Sequence, residues 1–127
     1  MIRRTILFLL LGMSALSCVE QPERNCLEHR NGEYWVIVEN DGKMDTTSIS
    51  RSQNIQIEVY KQKRDTSYVR WLNDCEFVLQ LANPKNKNEE NPLRFKLLTT
   101  TDSSYTFEYS IAKSKGRALQ GVAVKKR

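Results

Sequence analysis

Apolar and polar residues alternate along most of this chain with the period of two that is typical of half-buried β-strands. The alternation is clearest in residues 55–60, where isoleucine and valine alternate with glutamine, glutamate and tyrosine. The strands predicted in this way are residues 34–38, 46–51, 55–60, 68–71, 75–81, 93–97, 105–111 and 119–124. Because the polar segment 46–51 gives only a weak signal, the pattern predicts seven or eight strands.

The connections between these segments are short and rich in turn residues. Asn40-Asp41-Gly42 is a strong hairpin signal, because Asp and Gly tolerate the positive φ of a tight turn. The one long connection, residues 83–92, is charged and has a proline near each end. The predicted fold class is therefore all-β. A single small antiparallel meander closes into a complete or partly open barrel, with a β-sandwich as the alternative, since either hides the apolar face and the strand edges.

The start of the chain has a different pattern. Arg3 and Arg4 precede an apolar run, residues 6–11, and small residues follow up to Cys18. The run is too short to cross a bilayer of ~30 Å, which takes about 20 residues. A charged start, a short apolar stretch and small residues at the end are typical of an export signal that is removed.

The end of this signal, Ala15-Leu16-Ser17-Cys18, resembles the lipobox of bacterial lipoproteins. The resemblance implies removal of residues 1–17 and lipidation of Cys18 with acyl chains such as palmitate. It also implies anchoring in the cell envelope, at the outer membrane, with residues 18–25 as a tether and residues 26–127 as a single β-domain. Ordinary signal-peptidase cleavage is the alternative, because Ala15-x-Ser17 also resembles the A-x-A preference of that enzyme.

The chain has three cysteines. If Cys18 carries lipid, Cys26 and Cys75 remain, and export places them where disulfides persist. A disulfide between them is the favoured interpretation, and two buried free thiols are the alternative. No C-x-x-C is present and His29 is the only histidine, so we expect neither a metal site nor a cofactor. Because His29 is close to the tether, we expect it to be an exposed linker residue.

Positive charge is concentrated at the C-terminal end. The formal net charge is +5, and residues 113–127 contain six basic residues and no acidic residue. Such a segment could contact anionic lipid at about 1 kcal/mol per charge, but a solvated edge strand protected by lysines is the simpler interpretation. Since the chain is expected outside the cytoplasm, nucleic-acid binding is disfavoured.

Three local patterns are similar to those of small exported lipoproteins of Bacteroidota. They are C-x5-G-x-Y from Cys26 to Tyr34, I-x-R-x4-Q-x-E from Ile49 to Glu58, and W-x3-C-x-F-x-L from Trp71 to Leu79. The resemblance implies the cysteine pairing and the β-meander, and it carries no established activity. A fainter likeness to lipocalin-type barrels, which open with G-x-W, is a fold-level analogy only, because Trp35 is one position late.

A possible polar cluster lies in the middle of the chain, where Gln56, Glu58 and Tyr60 share one strand face. If that face lines a barrel interior, an ionisable pocket results; if it points outward, the side chains are solvated on the sheet surface. We expect the outward orientation, because the alternate apolar residues should face the core. The candidate cluster comprises Arg51, Gln56, Glu58, Tyr60 and Arg70.

These features predict a lipid-anchored envelope protein that is not an enzyme and that binds a small apolar ligand. The alternative is an accessory or structural subunit of an envelope protein complex, with a filled core and an exposed aromatic patch. A small hydrolase is disfavoured, because it needs convergent ionisable groups and the chain has one histidine. The residues expected to line a ligand cavity are Trp35, Trp71, Phe77, Phe95 and Tyr109.

Overall fold

The computed structural model describes residues 23–112, residue 116 and residues 118–127. Each of its eight strands pairs with the next in chain order, and the last pairs with the first, so the sheet closes into an antiparallel barrel. The strands are β1 (Gly32–Asn40), β2 (Lys43–Ser52), β3 (Ile55–Tyr60), β4 (Lys63–Asn73), β5 (Glu76–Leu81), β6 (Leu93–Thr100), β7 (Ser104–Ile111) and β8 (Leu119–Lys125). The predicted all-β fold and barrel are therefore confirmed.

Closure depends on the pairing of β1 with β8, which runs from Tyr34 opposite Lys125 to Val38 opposite Gly121. A closed barrel has no free strand edge, which removes the aggregation hazard of an open meander. The expected signal peptide, residues 1–17, and Cys18 lie outside the described residues, as do Lys113, Lys115 and Arg117 of the basic segment. No helix in the described part of the chain has the length and apolar character that crossing a bilayer requires.

Two-residue turns join several strands and set their register. The predicted turn after β1 has positive φ at Asp41 and Gly42, as a tight hairpin requires. The turns 53–54 and 61–62, on either side of β3, also have positive φ at both residues. The second of these is shorter than the predicted turn 61–65, so β4 begins earlier in the sequence than the pattern indicates.

A short 3₁₀ helix, Cys26–His29, precedes β1 and covers one end of the barrel. The predicted disulfide is confirmed: Cys26 in this helix is bonded to Cys75 at the turn between β4 and β5, with 5.2 Å between their Cα atoms. The helix is thereby tied to a turn that is 49 residues away in sequence.

The orientation of β3 is opposite to the expected one. Gln56 is 3% exposed, whereas Ile55 and Val59 are 40% and 38% exposed. Gln56 pairs with Arg51 on β2 and with Ser67 on β4, and residues that lie directly opposite each other share a face of the sheet. The buried side chains of Arg51 and Ser67 therefore place Gln56 inside the barrel.

This register explains why the hydrophobic pattern of β3 was misleading. The tight turns at 53–54 and 61–62 allow no slip of one residue, and such a slip is what would reverse the face of the strand. The apolar residues of β3 consequently form an outward row, and its polar residues enter the interior.

Gly121 on β8 allows an aromatic ring to enter the interior. A Cβ atom at this position would lie 2.6 Å from the ring of Phe107 and 3.0 Å from the carbonyl oxygen of Ile37. We therefore expect Gly121→Ala to lower the free energy of unfolding by about 1–3 kcal/mol, the usual cost of overpacking. Urea denaturation measures the change.

Phe107→Leu is the matched background for this test, because it shortens the ring that an alanine at position 121 would meet. The cost of Gly121→Ala should be smaller there than in the wild type. An equal cost in both backgrounds would mean that the ring contact is not its cause.

Candidate functional site

The barrel interior contains a cavity of about 170 Å³. Its walls differ in chemistry: aliphatic side chains come from β1 and β2, aromatic ones from β5, β6 and β7, and polar ones from β2 and β3. The lining residues are Val36, Val38, Thr47, Ile49, Arg51, Gln56, Glu58, Phe77, Leu93, Phe95, Tyr105, Phe107 and Tyr109.

The structure places three of the five predicted lining residues in the wall: Phe77, Phe95 and Tyr109. Trp71 is not part of the wall, but it packs against Phe77 with 4.7 Å between ring centroids. Trp35 does not line the cavity, which corrects the prediction.

Trp35 is 46% exposed and lies on the outside of β1, because its neighbours Tyr34 and Val36 take the two adjacent inward positions. The Lys126 ammonium lies 4.3 Å from the centroid of the Trp35 ring. Lys126 also donates a hydrogen bond to the Ser48 hydroxyl, which fixes this cation on the outer surface.

The aromatic wall is a continuous stack. The rings of Phe77 and Phe95 are parallel with centroids 4.9 Å apart, and Phe95 stacks on Tyr109 at 5.4 Å. Phe107 contacts both Phe95 and Tyr109 at an angle. Four rings from three neighbouring strands thus present one apolar surface to the cavity.

Arg51 forms the floor of the cavity and is almost completely buried. Its Nε donates to the carbonyl oxygen of Arg30 at 2.7 Å, and one terminal nitrogen donates to the carbonyl oxygen of His29 at 2.8 Å. The same nitrogen donates to the Tyr105 hydroxyl at 3.1 Å, and the other donates to Gln56 Oε1 at 2.8 Å. Arg51 therefore joins the 3₁₀ helix to the barrel wall.

Aromatic rings surround the same guanidinium group. Its central carbon lies 4.8 Å from the Phe77 centroid and 5.7 Å from the Trp71 centroid. Neither of the ion pairs in the described part of the chain involves Arg51. The buried charge is therefore stabilised by neutral acceptors and by the faces of aromatic rings.

His29 is completely buried beside this floor, which corrects the expectation of an exposed linker residue. Its Nε2 lies 2.8 Å from the carbonyl oxygen of Thr101, which can only accept, so Nε2 carries the proton. In the neutral ring Nδ1 then accepts the hydrogen bond from the Tyr34 hydroxyl, also at 2.8 Å. Burial, together with Tyr105 and against the opposing effect of Arg51, raises the pKa of Tyr34 to about 12, so this hydroxyl keeps its proton.

The predicted polar cluster is only partly formed. Gln56 connects Arg51 to Glu58: it accepts from the arginine and donates from Nε2 to Glu58 Oε1 at 2.9 Å. Tyr60, farther along the strand, donates to Asp45 at 3.1 Å and is not in the cavity wall. Arg70 is exposed on the outside of β4, one residue from the inward Val69.

A second hollow adjoins the cavity beneath the loop 83–92. It shares Glu58 and Leu93 with the cavity, and its acidic lining residues are Glu58, Asp65 and Glu89. No lysine or arginine from the described part of the chain lines it. Among the described residues no group of histidine, cysteine, aspartate or glutamate is arranged to hold a metal ion.

The position of Glu58 destabilises the ionised form of its carboxyl group. Burial raises its pKa; the hydrogen bond from Gln56 opposes this effect, and Asp65 adds to it. The folded protein therefore holds this proton more tightly than the unfolded chain does. Ionised Glu58 consequently lowers the free energy of unfolding at pH values above the ordinary carboxyl pKa. This loss disappears as the pH falls from the raised pKa of the folded protein to the ordinary pKa.

We therefore expect Glu58→Gln to raise the free energy of unfolding near neutral pH, with the difference from wild type closing as the pH falls to about 4. Urea titrations at several pH values measure the difference. Glu39→Gln, on the exposed outer face of β1, is the matched control and should show no such trend. A difference for Glu58→Gln that stays constant with pH would contradict the burial of the carboxyl.

The sequence interpretation missed the whole aliphatic wall as well as Tyr105 and Phe107. Alternation counted inward from Tyr34 would have found Val36 and Val38, because all three share a face of β1. Arg51 and Gln56 carried no such signal, since a charged or amide side chain is ordinarily placed outside.

No known protein-family model and no curated protein matches the sequence of this chain. The assignment of a function therefore rests on the geometry of the barrel interior.

Proposed function

We propose that this chain is a lipid-anchored protein of the cell envelope, held at the outer membrane, whose barrel binds a small and mostly apolar ligand. The observation that carries the proposal is the interior cavity. Its floor is sealed by Arg51 and the 3₁₀ helix, and its walls are largely aromatic and aliphatic. An apolar cavity with a few convergent polar groups is the usual form of a small-molecule site.

The cavity volume limits the size of the ligand. A dry apolar cavity of roughly 150 Å³ accommodates a benzene molecule. The 170 Å³ of this barrel therefore suits a ligand, or the buried part of one, with roughly six to ten non-hydrogen atoms. Long acyl chains do not fit in this volume.

A binding role without catalysis is supported by the state of the buried polar groups. Both ring nitrogens of His29 are occupied by Tyr34 and Thr101, so the histidine has no free nitrogen for proton transfer. All three nitrogens of Arg51 donate to protein acceptors. These groups act as structural supports of the floor.

Binding can be tested with ethylbenzene as the probe and isothermal titration calorimetry as the measurement. The protein should be purified as the cell processes the full chain, and its native mass spectrum should be examined for a retained small molecule. Thr47 lines the cavity, so Thr47→Phe should fill part of it and weaken ethylbenzene binding at least tenfold.

Thr46→Phe is the control for this test, because it places the same ring on the outer face one residue earlier. Absence of binding by the wild type, both of ethylbenzene and of its polar derivatives of similar size, would exclude the proposed ligand class. Equal binding by both variants would place the bound molecule outside the cavity.

The anchor is a separate part of the proposal. Arg24 donates to the carbonyl oxygen of Leu97 at 3.0 Å, and the Asn25 amide donates to Thr100 at 2.8 Å. Only a few residues would then separate the barrel from a lipid on Cys18. A fully extended chain spans at most ~3.6 Å per residue. The domain would therefore lie close to its membrane.

Lipidation of Cys18 can be measured by metabolic labelling with an alkyne fatty acid in an exporting bacterial host. We expect the wild type to be labelled and to sediment with membranes, and Cys18→Ser to lose both properties. A labelled Cys18→Ser variant would refute the anchor, and an unlabelled, soluble wild type would favour ordinary signal-peptidase cleavage.

The outward row of β3 supports a second candidate, an accessory role in an envelope protein complex. Ile55 and Val59 are partly exposed on the outer surface, and Tyr68 lies opposite Ile55 on β4. Such a row can serve as contact area for a partner protein. A barrel that binds no probe in the calorimetric experiment would favour this alternative.

A further inference from the structure

The Glu58 carboxylate is only partly satisfied by the protein. Its Oε1 accepts a hydrogen bond from Gln56, whereas its Oε2 accepts none from the residues that the structure describes. Glu58 lines the cavity and also the hollow beneath loop 83–92, so it lies where the two meet. A carboxylate with a free oxygen at this position can accept a hydrogen bond from a ligand.

The positive charge in the cavity wall does not compete for this oxygen. Among the residues that the structure describes, Arg51 is the only basic one in the lining, and its nitrogens already donate to Arg30, His29, Tyr105 and Gln56. Gln56 separates the two charges, and Glu58 forms no ion pair with Arg51. An anionic ligand would find a floor whose donors are largely occupied and a carboxylate beside it.

The surroundings of Glu58 favour a cation. Asp65 and Glu89 add negative charge to the adjoining hollow, which no basic residue of the described ranges lines. On the other side, the rings of Phe77, Phe95 and Tyr109 stack on one another, so their faces are mostly occupied and the preference for positive charge comes from the carboxylates. The same rings can pack against the apolar part of a ligand.

We infer that the ligand of this barrel is a small organic amine, whose ammonium group pairs with Glu58 while its apolar body packs against the aromatic wall. The inference rests on the proposed binding function and names its ligand class. The size of the cavity limits such an amine to one aromatic ring or a short aliphatic group.

The energetics of Glu58 support this pairing. Burial raises the pKa of the carboxyl, so its ionised form is costly in the free protein. A positive ligand group next to Oε2 would offset that cost, because an opposite charge favours the ionised form. Binding of an amine and ionisation of Glu58 therefore assist each other.

The test is a matched series of probes that differ in the group attached to a benzyl carbon: 2-phenylethylamine, 2-phenylethanol, ethylbenzene and phenylacetate. Calorimetric affinities for the purified full-chain product should be highest for the amine and lowest for the carboxylate. Glu58→Gln keeps the shape and removes the charge, and it should weaken amine binding roughly 10- to 100-fold, a larger loss than for ethylbenzene, which carries no charge. Glu39→Gln removes one charge from the outer surface and should change neither affinity.

The outcomes distinguish a failure of the amine inference from a failure of the proposed binding function. If ethylbenzene binds and the affinity for the amine is no higher, or if the carboxylate binds most tightly, the amine inference is overturned and the binding function stands. If Glu58→Gln and Glu39→Gln weaken amine binding equally, the effect is general electrostatics and the pairing with Glu58 is refuted. If no probe of the series binds, the proposed function itself fails.

Discussion

Replacing Arg51 with methionine is expected to lower the free energy of unfolding by about 3 kcal/mol, despite the similar length of the two side chains. The substitution leaves the carbonyl oxygens of His29 and Arg30, and Gln56 Oε1, without their donor. Each buried acceptor that loses its donor costs about 1 kcal/mol or more. Urea unfolding followed by far-ultraviolet circular dichroism measures the change.

The matched control is Arg70→Met, which removes an exposed arginine from the outside of β4 and should change stability by less than about 0.5 kcal/mol. Arg51→Lys keeps the charge but cannot reach the 3₁₀ helix, Gln56 and Tyr105 at once, so it should also be clearly destabilising. If Arg51→Met were as stable as wild type, the buried guanidinium would not be what holds the helix on the barrel.

Removing the disulfide is expected to have the largest effect on stability. The bond closes a loop with a sequence separation of 49, for which the chain-entropy model gives about 4 kcal/mol. Cys75→Ala should therefore lower the unfolding midpoint by roughly 15–30 °C in a domain of this size. Differential scanning calorimetry of protein produced in an oxidising compartment measures the shift.

Reducing agent provides the control for this experiment. It should lower the midpoint of the wild type by a similar amount and leave Cys75→Ala unchanged. Because Cys26 lies in the helix that covers the floor, the variant should also weaken the binding of ethylbenzene. A midpoint that moves by only a few degrees would mean that hydrogen bonds from Arg51 are enough to hold the helix on the barrel when the disulfide is absent.

The polar interior could not be predicted because its orientation is a property of three strands together. Within β3 alone, Ile55, Ile57 and Val59 are the better core residues, and the alternation favours them. The pairing of Gln56 with Arg51 and Ser67 reverses that choice. Short turns then make the register rigid, so local hydrophobicity does not decide the face.

His29 illustrates the same limit at the closed end. Its position next to the tether indicates exposure, yet Tyr34 and Thr101 bury it through contacts that the sequence does not reveal. The carbonyl of Thr101 belongs to the connection between β6 and β7, 72 residues along the chain. Such a contact exists only once the barrel has closed.

The sequence by itself determined the class of fold, the approximate positions of the strands and the hairpin at Asp41-Gly42, because alternation and turn chemistry are local properties. It also predicted the pairing of Cys26 with Cys75, which the structure bears out. Only the tertiary structure decided that the sheet closes, which face of β3 is buried and how Arg51 seals the floor. Those features depend on register and on the enclosed volume, and both arise from residues that are far apart in the chain.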